Sequence, residues 1–197
     1  MSNYLAVDAS SRYLTVVAKK GESTIVRHLA DCAMKHSVIV MDEVDKAMNA
    51  ANLSPRECDF FAAVTGPGSF TGIRIGISTV KGLAMGAEKP LLGITSFDLI
   101  AYNVNIENFC VVIDAAHSHC YAKGYGKGAF APAYLSVDEV EKLDCPKFGF
   151  EDLPLNNYRK VDIKNCLPVA TERAKGGLSA DIAALYVRKS QAEEGRK

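Results

Sequence analysis

The amino-acid sequence predicts an α/β chain of two lobes, each a mixed sheet with flanking helices, the second lobe reduced. Three observations lead there. Leu5-Ala6-Val7-Asp8-Ala9 and Val111-Val112-Ile113-Asp114-Ala115 are near copies, each an apolar strand closing in aspartate. Each is followed by a turn and an antiparallel return, so a β-β-β-α order occurs twice, the mark of a duplicated unit. Between the copies, the apolar run Phe60–Val64 feeds a glycine-rich turn. That turn opens a segment of helical period in which Ile73, Ile77, Val80 and Ala84 recur.

Taken in chain order, Tyr4–Ala9, Tyr13–Ala18 and Thr24–Leu29 read as three strands, with Lys19-Lys20-Gly21-Glu22 as the second turn. A long helix is expected over Asp31–Ala51. Ser54-Pro55-Arg56-Glu57 is a capping-box start with proline in the first turn. The Phe60–Val64 strand then leads to a helix capped by Thr71 and running to about Ala87. Pro90–Thr95 is a further strand, and Ser96 caps a helix through about Asn103. The pattern restarts with strands at Phe109–Asp114, Cys120–Tyr125 and Ala133–Val137 and a short helix at Asp138–Leu143. Residues 146–158 read as loop, Lys164–Lys175 as a helix ended by Gly176-Gly177, and Ser179–Leu185 as helical. The last residues, Glu193 to Lys197, are expected to fray. The domain boundary falls at 103/104, giving lobes 1–103 and 104–197.

Lys plus Arg and Asp plus Glu both number 23, so the net charge is zero. A broad basic field for gripping nucleic acid alone is therefore not expected. The six cysteines include no C-x-x-C pair and read as reduced thiols filling cores. The start, Met1-Ser2-Asn3, does not resemble a signal peptide, and no apolar stretch approaches the roughly 20 residues that span a bilayer. A cytoplasmic protein without a membrane contact is the expectation.

The glycine turn comprises Thr65, Gly66, Pro67, Gly68, Ser69, Phe70, Thr71 and Gly72, followed by Ile73, Arg74, Ile75 and Gly76. A turn joining a buried strand to a helix start puts unpaired N–H groups at the positive end of a helix dipole. That suits a phosphate, or a backbone that must approach closely. It is not a P-loop, since no Gly-Lys-Ser/Thr follows, and not a nucleophile elbow around Ser69. Arg74 beside a helix start is electrostatically unfavourable and is expected to serve a partner or a carboxylate. Asp8 and Asp114 stand at equivalent strand ends, where they could hold a metal-bound water or phosphate, as a resemblance to two-lobed nucleotide-binding enzymes would imply, or bond their own turn amides. The segment after Asp8, Ala9-Ser10-Ser11-Arg12, is a poor nucleotide clamp. His117 and His119, with Cys120 next to them, lack a further ligand at metal spacing and read as an exposed hairpin. His36 has no second histidine one turn on and reads as a helix-surface residue. The long helix carries two apolar stripes, Met34, Val38, Met41, Met48 and Val40, Val44, Ala47, Ala51. Together they exceed the roughly 100° that a single sheet-facing side requires. The surplus predicts a protein interface.

The duplicated β-β-β-α unit resembles the ribonuclease-H-like lobes of actin, Hsp70 and the sugar kinases (the actin-like ATPase, or ASKHA, architecture). Within that class, Gly66-Pro67-Gly68-Ser69-Phe70-Thr71-Gly72-Ile73-Arg74-Ile75-Gly76, ending in Lys81-Gly82-Leu83-Ala84, closely resembles the signature of the bacterial TsaB (YeaZ) family. Leu5 to Ser10, His36-Ser37, Gly93-Ile94-Thr95-Ser96, Val112-Ile113-Asp114-Ala115 and Tyr186-Val187-Arg188 add to the likeness. The resemblance implies a non-catalytic subunit of the machinery forming N6-threonylcarbamoyladenosine at position 37 of ANN-decoding tRNAs. It implies pairing with the catalytic subunit TsaD through the two N-lobe helices, a platform for the ATPase TsaE, and contact with tRNA through the complex. It implies no cofactor of its own, with ATP and metal held by the partner subunits, and a homodimer when TsaD is absent. On those helices Met34, His36, Val40, Val44, Ala47, Ile73, Gly76 and Val80 are the expected partner-facing residues, with the 65–74 loop beside them. Asp8 and Asp114 would be relics of a nucleotide site. The chain departs from the family at Ala116 and His117-Ser118-His119-Cys120-Tyr121, where an arginine and a Gly-Glu-Val-Tyr hairpin are usual. The alternative is an actin-like ATPase or kinase, or a glycoprotease-like metallopeptidase, acting alone and binding its own nucleotide or metal.

Overall fold

The structure is a computed structural model and describes residues 2–188. Strands β1 (Tyr4–Asp8), β2 (Leu14–Lys20), β3 (Ser23–Leu29), β4 (Phe60–Gly66) and β5 (Leu91–Thr95) form one sheet in the order β3-β2-β1-β4-β5. β2 pairs antiparallel with β1 and β3, while β4 runs parallel to β1 and β5 parallel to β4. Strands β6 (Phe109–Asp114), β7 (His119–Tyr125), β8 (Phe130–Ser136), β9 (Lys147–Gly149) and β10 (Tyr158–Lys160) form the second sheet, ordered β10-β9-β6-β7-β8. Its pairing signs repeat those of the first. The duplication read from the two Asp-terminated strands is thus a duplication of whole five-stranded sheets.

The first sheet is covered on both faces, which is why β1 and β4 are apolar without alternation. One face, Leu5, Val7, Leu14, Phe61 and Ala63, meets helices α1 (His36–Ala50) and α2 (Phe70–Ala87) through Val44, Ala47, Ile73 and Val80. The other, Tyr4, Ala6, Phe60, Val64 and Ile94, meets Leu99 of α3 (Ser96–Ala101) and Leu167 and Ala170 of α5 (Cys166–Ala174). Helix α3 also gives Phe97 and Ile100 to Val111 and Ile113 of the second sheet, so it lies between the lobes. The second lobe keeps five strands but little helix, α4 (Val137–Glu141) being a single short turn that seats Val140 against Val112 and Ala122.

The structure corrects the sequence reading at several points. Helix α1 begins at His36, because residues 31–35 form a turn in which Asp31 and Met34 take positive φ. The cap of α2 is Ser69, whose Oγ accepts the Gly72 N–H, and Thr71 lies inside the helix. Thr95 caps α3, leaving Ser96 as its first residue. The expected loop over 146–158 contains β9 and leads into β10, strands too short for periodicity to register. Ser179–Leu185 is irregular rather than helical, Ser179 pairing with Leu91. The boundary at 103/104 divides the sheets, yet α5 returns to cover the first lobe, as does Ile182 in its core. The expected fraying at Glu193–Lys197 lies outside the described residues.

Candidate functional site

All parallel strands of both sheets point their carboxyl ends at one inter-lobe cleft of about 880 Å³. Open α/β sheets place ligands at this edge, because strand ends and loop starts converge there. Asp8 ends β1 at the cleft base and Asp114 ends β6 opposite, and their local geometry is the same. Asp8 Oδ1 accepts the Ser10 N–H at 2.9 Å, and Asp114 Oδ1 accepts the Ala116 N–H at 2.9 Å. Asp8 also accepts the hydroxyls of Ser10 and Tyr13, each at 2.7 Å. Burial raises its carboxyl above the ordinary range, and those hydrogen bonds pull it back down. Both aspartates therefore bond their own turns, the second of the two alternatives open for them, and Asp8 is fully enclosed.

The glycine turn is closed by the chain itself. The Ser69 N–H donates to the Ser10 carbonyl at 2.6 Å. A Cβ on Gly68 would fall far inside van der Waals contact with that carbonyl oxygen, and a Cβ on Gly72 far inside contact with that of Ala9. Where a phosphate would sit against the N–H groups at the start of α2, the β1–β2 turn supplies backbone carbonyls. Glycine is required here for close approach between two segments of one chain.

On the outer side of the turn, Arg74 does not await a carboxylate. Its guanidinium stacks over Phe70 at 3.9 Å and its Nε donates to the Tyr186 hydroxyl at 3.0 Å. Phe70 and Tyr186 stack at 4.5 Å. The C-terminal segment is tied alongside, Leu185 N–H donating to the Thr65 carbonyl. Sequence reasoning missed Tyr186 as the partner of Arg74, although Tyr186-Val187-Arg188 stood out as a motif.

Of the residues expected to face a partner, only Met34 is exposed, at 98%. His36, Val40, Val44, Ala47, Ile73, Gly76 and Val80 are buried within this one chain. His36 Nε2 lies 2.9 Å from the Tyr13 carbonyl, so it is neither a surface nor an interface residue. The two-stripe reading of α1 holds only for Val38 and Met41, since Met48 is buried and Met34 precedes the helix, and the stripe chosen was the one that covers the sheet. Of the other stripe, Val38 is 80% and Met41 46% exposed while Met48 is buried in the core, and α2 adds Met85 at 81%.

His119 stacks on Tyr134 at 4.6 Å, and Ala116, His117 and Ser118 take left-handed φ in succession, so the divergent hairpin is a tight turn. Among the described residues no group of three His, Cys, Asp or Glu side chains is placed to hold a metal. Among them, too, no helix is long and apolar enough to cross a membrane. The cleft residue with no sequence signal is Glu151, just past β9. Burial pushes its carboxyl up to about 8, and the nearby Asp114 charge adds to the shift.

Comparison with known proteins places this geometry. A family model described as "TsaD: tRNA N6-adenosine threonylcarbamoyltransferase" matches residues 30–166. The chain is 33% identical over 97 residues to the tRNA threonylcarbamoyladenosine biosynthesis protein TsaB of Escherichia coli (strain K12), covering 49% of this chain and 42% of that one. It is 31% identical over 122 residues to the Haemophilus influenzae protein of the same description, covering 59% and 51%. The chain spans about half the length of the curated relatives it matches. The solved structure described as "YeaZ from Pseudomonas aeruginosa" superposes with a TM-score of 0.72 at 21% identity, covering 94% of this chain and all of that one. That likeness shows the two-lobed fold.

Proposed function

This chain belongs to the family the TsaD model describes, on its TsaB (YeaZ) side, and from that premise we propose that it is a non-catalytic scaffold subunit. It supports a TsaD-type enzyme in forming N6-threonylcarbamoyladenosine at position 37 of ANN-decoding tRNAs, in the cytoplasm. The observation that carries the reading is the exposed apolar pair Val38 and Met41 on α1, with exposed Met34 in the turn before it, outside a helix whose opposite face already fills the core. Exposed apolar side chains grouped on one helical face mark an interaction surface, and methionine suits a face that must adapt to its partner. The closure of the glycine turn by the Ser10 carbonyl supports the second half of the proposal, that nucleotide and metal chemistry belongs to the partner subunits.

In this reading TsaD docks on the α1–α2 side, the joint surface recruits a TsaE-type ATPase, tRNA is met through the complex, and the same face pairs two copies when TsaD is absent. The test is light scattering on mixtures with the TsaD-type subunit. The natural chain should form a heterodimer, and Val38→Asp should abolish it while leaving the circular dichroism spectrum unchanged. A heterodimer that survives Val38→Asp combined with Met41→Asp overturns the interface. Calorimetry with ATP and Mg²⁺ should show no saturable heat for the isolated chain, and micromolar affinity would favour an ATPase acting alone.

A further inference from the structure

Arg74 is a charge without a counter-charge. It stands near the start of α2, where the helix dipole opposes a cation. Among the described residues no carboxylate lies within ion-pair distance of it. Phe70 under its guanidinium and the Tyr186 hydroxyl on its Nε fix the plane of the fork. The Nη groups have no partner, and the residue is exposed. An arginine held in this way is ready to grip an anion from outside the chain, because its geometry is already set.

Beside it, Tyr186 stays 42% exposed although Phe70 covers one face of its ring. The two rings line a groove of about 340 Å³, walled also by Pro67 of the signature turn, by Arg188, and by His117 and Tyr121 of the β6–β7 hairpin. Among the described residues no carboxylate lines it. Arg188 lies over the ring of Tyr134 at 4.9 Å, and Tyr134 stacks on His119. Arginine laid on an aromatic ring therefore occurs twice at one groove. The hairpin wall is held in a left-handed backbone by three successive residues, Ala116, His117 and Ser118, none of them glycine. Such a backbone costs energy, and costs of this kind gather where sites are built.

The chemistry of the groove selects the ligand. Aromatic planes with arginines beside them, and no acid, suit a molecule that carries both a flat ring and an anion, which is a nucleotide. Arg74 Cζ is 5.8 Å from the centroid of the Tyr186 ring, comparable with the reach from a nucleotide's phosphate to its base. An acidic peptide would use the arginines and leave the rings idle. A base inside a duplex is stacked and paired, so only an unpaired one can lie on Tyr186. The zero net charge allows a local contact of this kind and no long basic track.

We propose that this groove holds an unpaired nucleotide of RNA, its base on the open side of Tyr186 and its phosphate on Arg74. The proposal deepens the reading above, in which RNA is met through the complex, and rests on it for RNA rather than a free nucleotide as the source.

The test is fluorescence anisotropy of the full chain with a labelled oligoadenylate of about ten nucleotides, single-stranded or in a duplex, from about 50 to 200 mM salt. Saturable binding of the single strand is expected, at least about tenfold tighter than of the duplex. Tyr186→Leu should weaken it by about tenfold, while Tyr186→Phe, which keeps the ring, should bind as the natural chain does. Arg74→Gln should lower the slope of log affinity against log salt by about 0.7, the loss of one phosphate contact on a single strand. No saturation up to about 1 mM chain at the lowest salt overturns the proposal. So does a duplex bound as tightly as the single strand, AMP bound as tightly as the RNA, or polyglutamate displacing the RNA more readily than unlabelled oligoadenylate does. Light scattering with the TsaD-type subunit is read on the same variants, which should all form the heterodimer. Heterodimer without RNA binding overturns the groove and leaves the scaffold reading standing, and RNA binding without heterodimer does the reverse. Loss of the heterodimer in Arg74→Gln would make Arg74 part of the docking face and overturn its assignment to RNA.

Discussion

The carbonyl oxygen of Ser10 takes the space that a side chain on Gly68 would need, and it accepts the N–H of the next residue, Ser69, at 2.6 Å. The signature turn and the β1–β2 turn are therefore one packed unit. Gly68 sits at φ +156° and Gly72 in the first turn of α2, each pressed against a backbone carbonyl that cannot swing aside as a side chain can.

Gly68→Ala and Gly72→Ala should each destabilise the chain by about 3 kcal/mol, the upper end of overpacking costs, because backbone must move. Chemical denaturation measures it. Gly82→Ala, at a helical position with open space around it, serves as the control and should be neutral or slightly stabilising. Equal effects at all three positions would refute the closed-turn account.

Val44 and Val38 lie on the same helix and differ only in which side they present. Val44 is fully buried and Val38 is 80% exposed. Val44→Asp should cost several kcal/mol, on the order of 3–5, by leaving a charge unpaired in the core. Val38→Asp should shift stability by no more than about 0.5 kcal/mol. Thermal unfolding of the two variants separates them, and a folded Val44→Asp protein would contradict the packing described.

Tyr186 holds the C-terminal segment onto the signature turn through Phe70 and Arg74. Removing the ring by Tyr186→Ala should cost about 1–2 kcal/mol from the lost stack and cation–π contact. Amides from Ser179 to Val187 should exchange faster than in the natural chain, while those of β4 stay protected. Unchanged exchange in the segment would show that Leu185–Thr65 pairing and the Lys81–Asp181 ion pair suffice to hold it.

Glu151 gives stability a pH slope. Its carboxyl ionises near 4.5 when the chain is unfolded and near 8 when it is folded, chiefly because burial disfavours the charge. Between those values the unfolded state has lost the proton and the folded state has kept it. Stability therefore falls with rising pH, by up to about 1.4 kcal/mol per unit, and the loss is complete above pH 8. Glu151→Gln should remove that slope, so the variant gains on the natural chain between pH 6 and 8 in denaturant titrations. Parallel pH profiles would mean that the carboxyl is solvated.

Much was legible in the sequence because the signals were local. Asp-terminated apolar strands, antiparallel returns and a dense glycine turn gave the duplicated fold, and the same residues carried the family resemblance. The excess of apolar surface on α1 could be counted along the chain too, since two stripes exceed what one sheet can cover. Which stripe meets the sheet is set by the azimuth of the helix after docking, and both stripes have the same period. Val40, Val44 and Ala47 went inward, leaving Met34, Val38 and Met41 outside. The partners of Arg74 and Ser10 were likewise invisible, because Tyr186 is 112 residues from Arg74 and a backbone carbonyl has no sequence signature. Glu151 acquires its meaning only from burial between two lobes that come together late in the chain. Composition and periodicity determined the layers and their number, since those follow from how each segment hides its own apolar atoms. Tertiary structure alone decided which faces remained to be covered and which polar atoms were left without partners, since both depend on what distant segments bring to the same place.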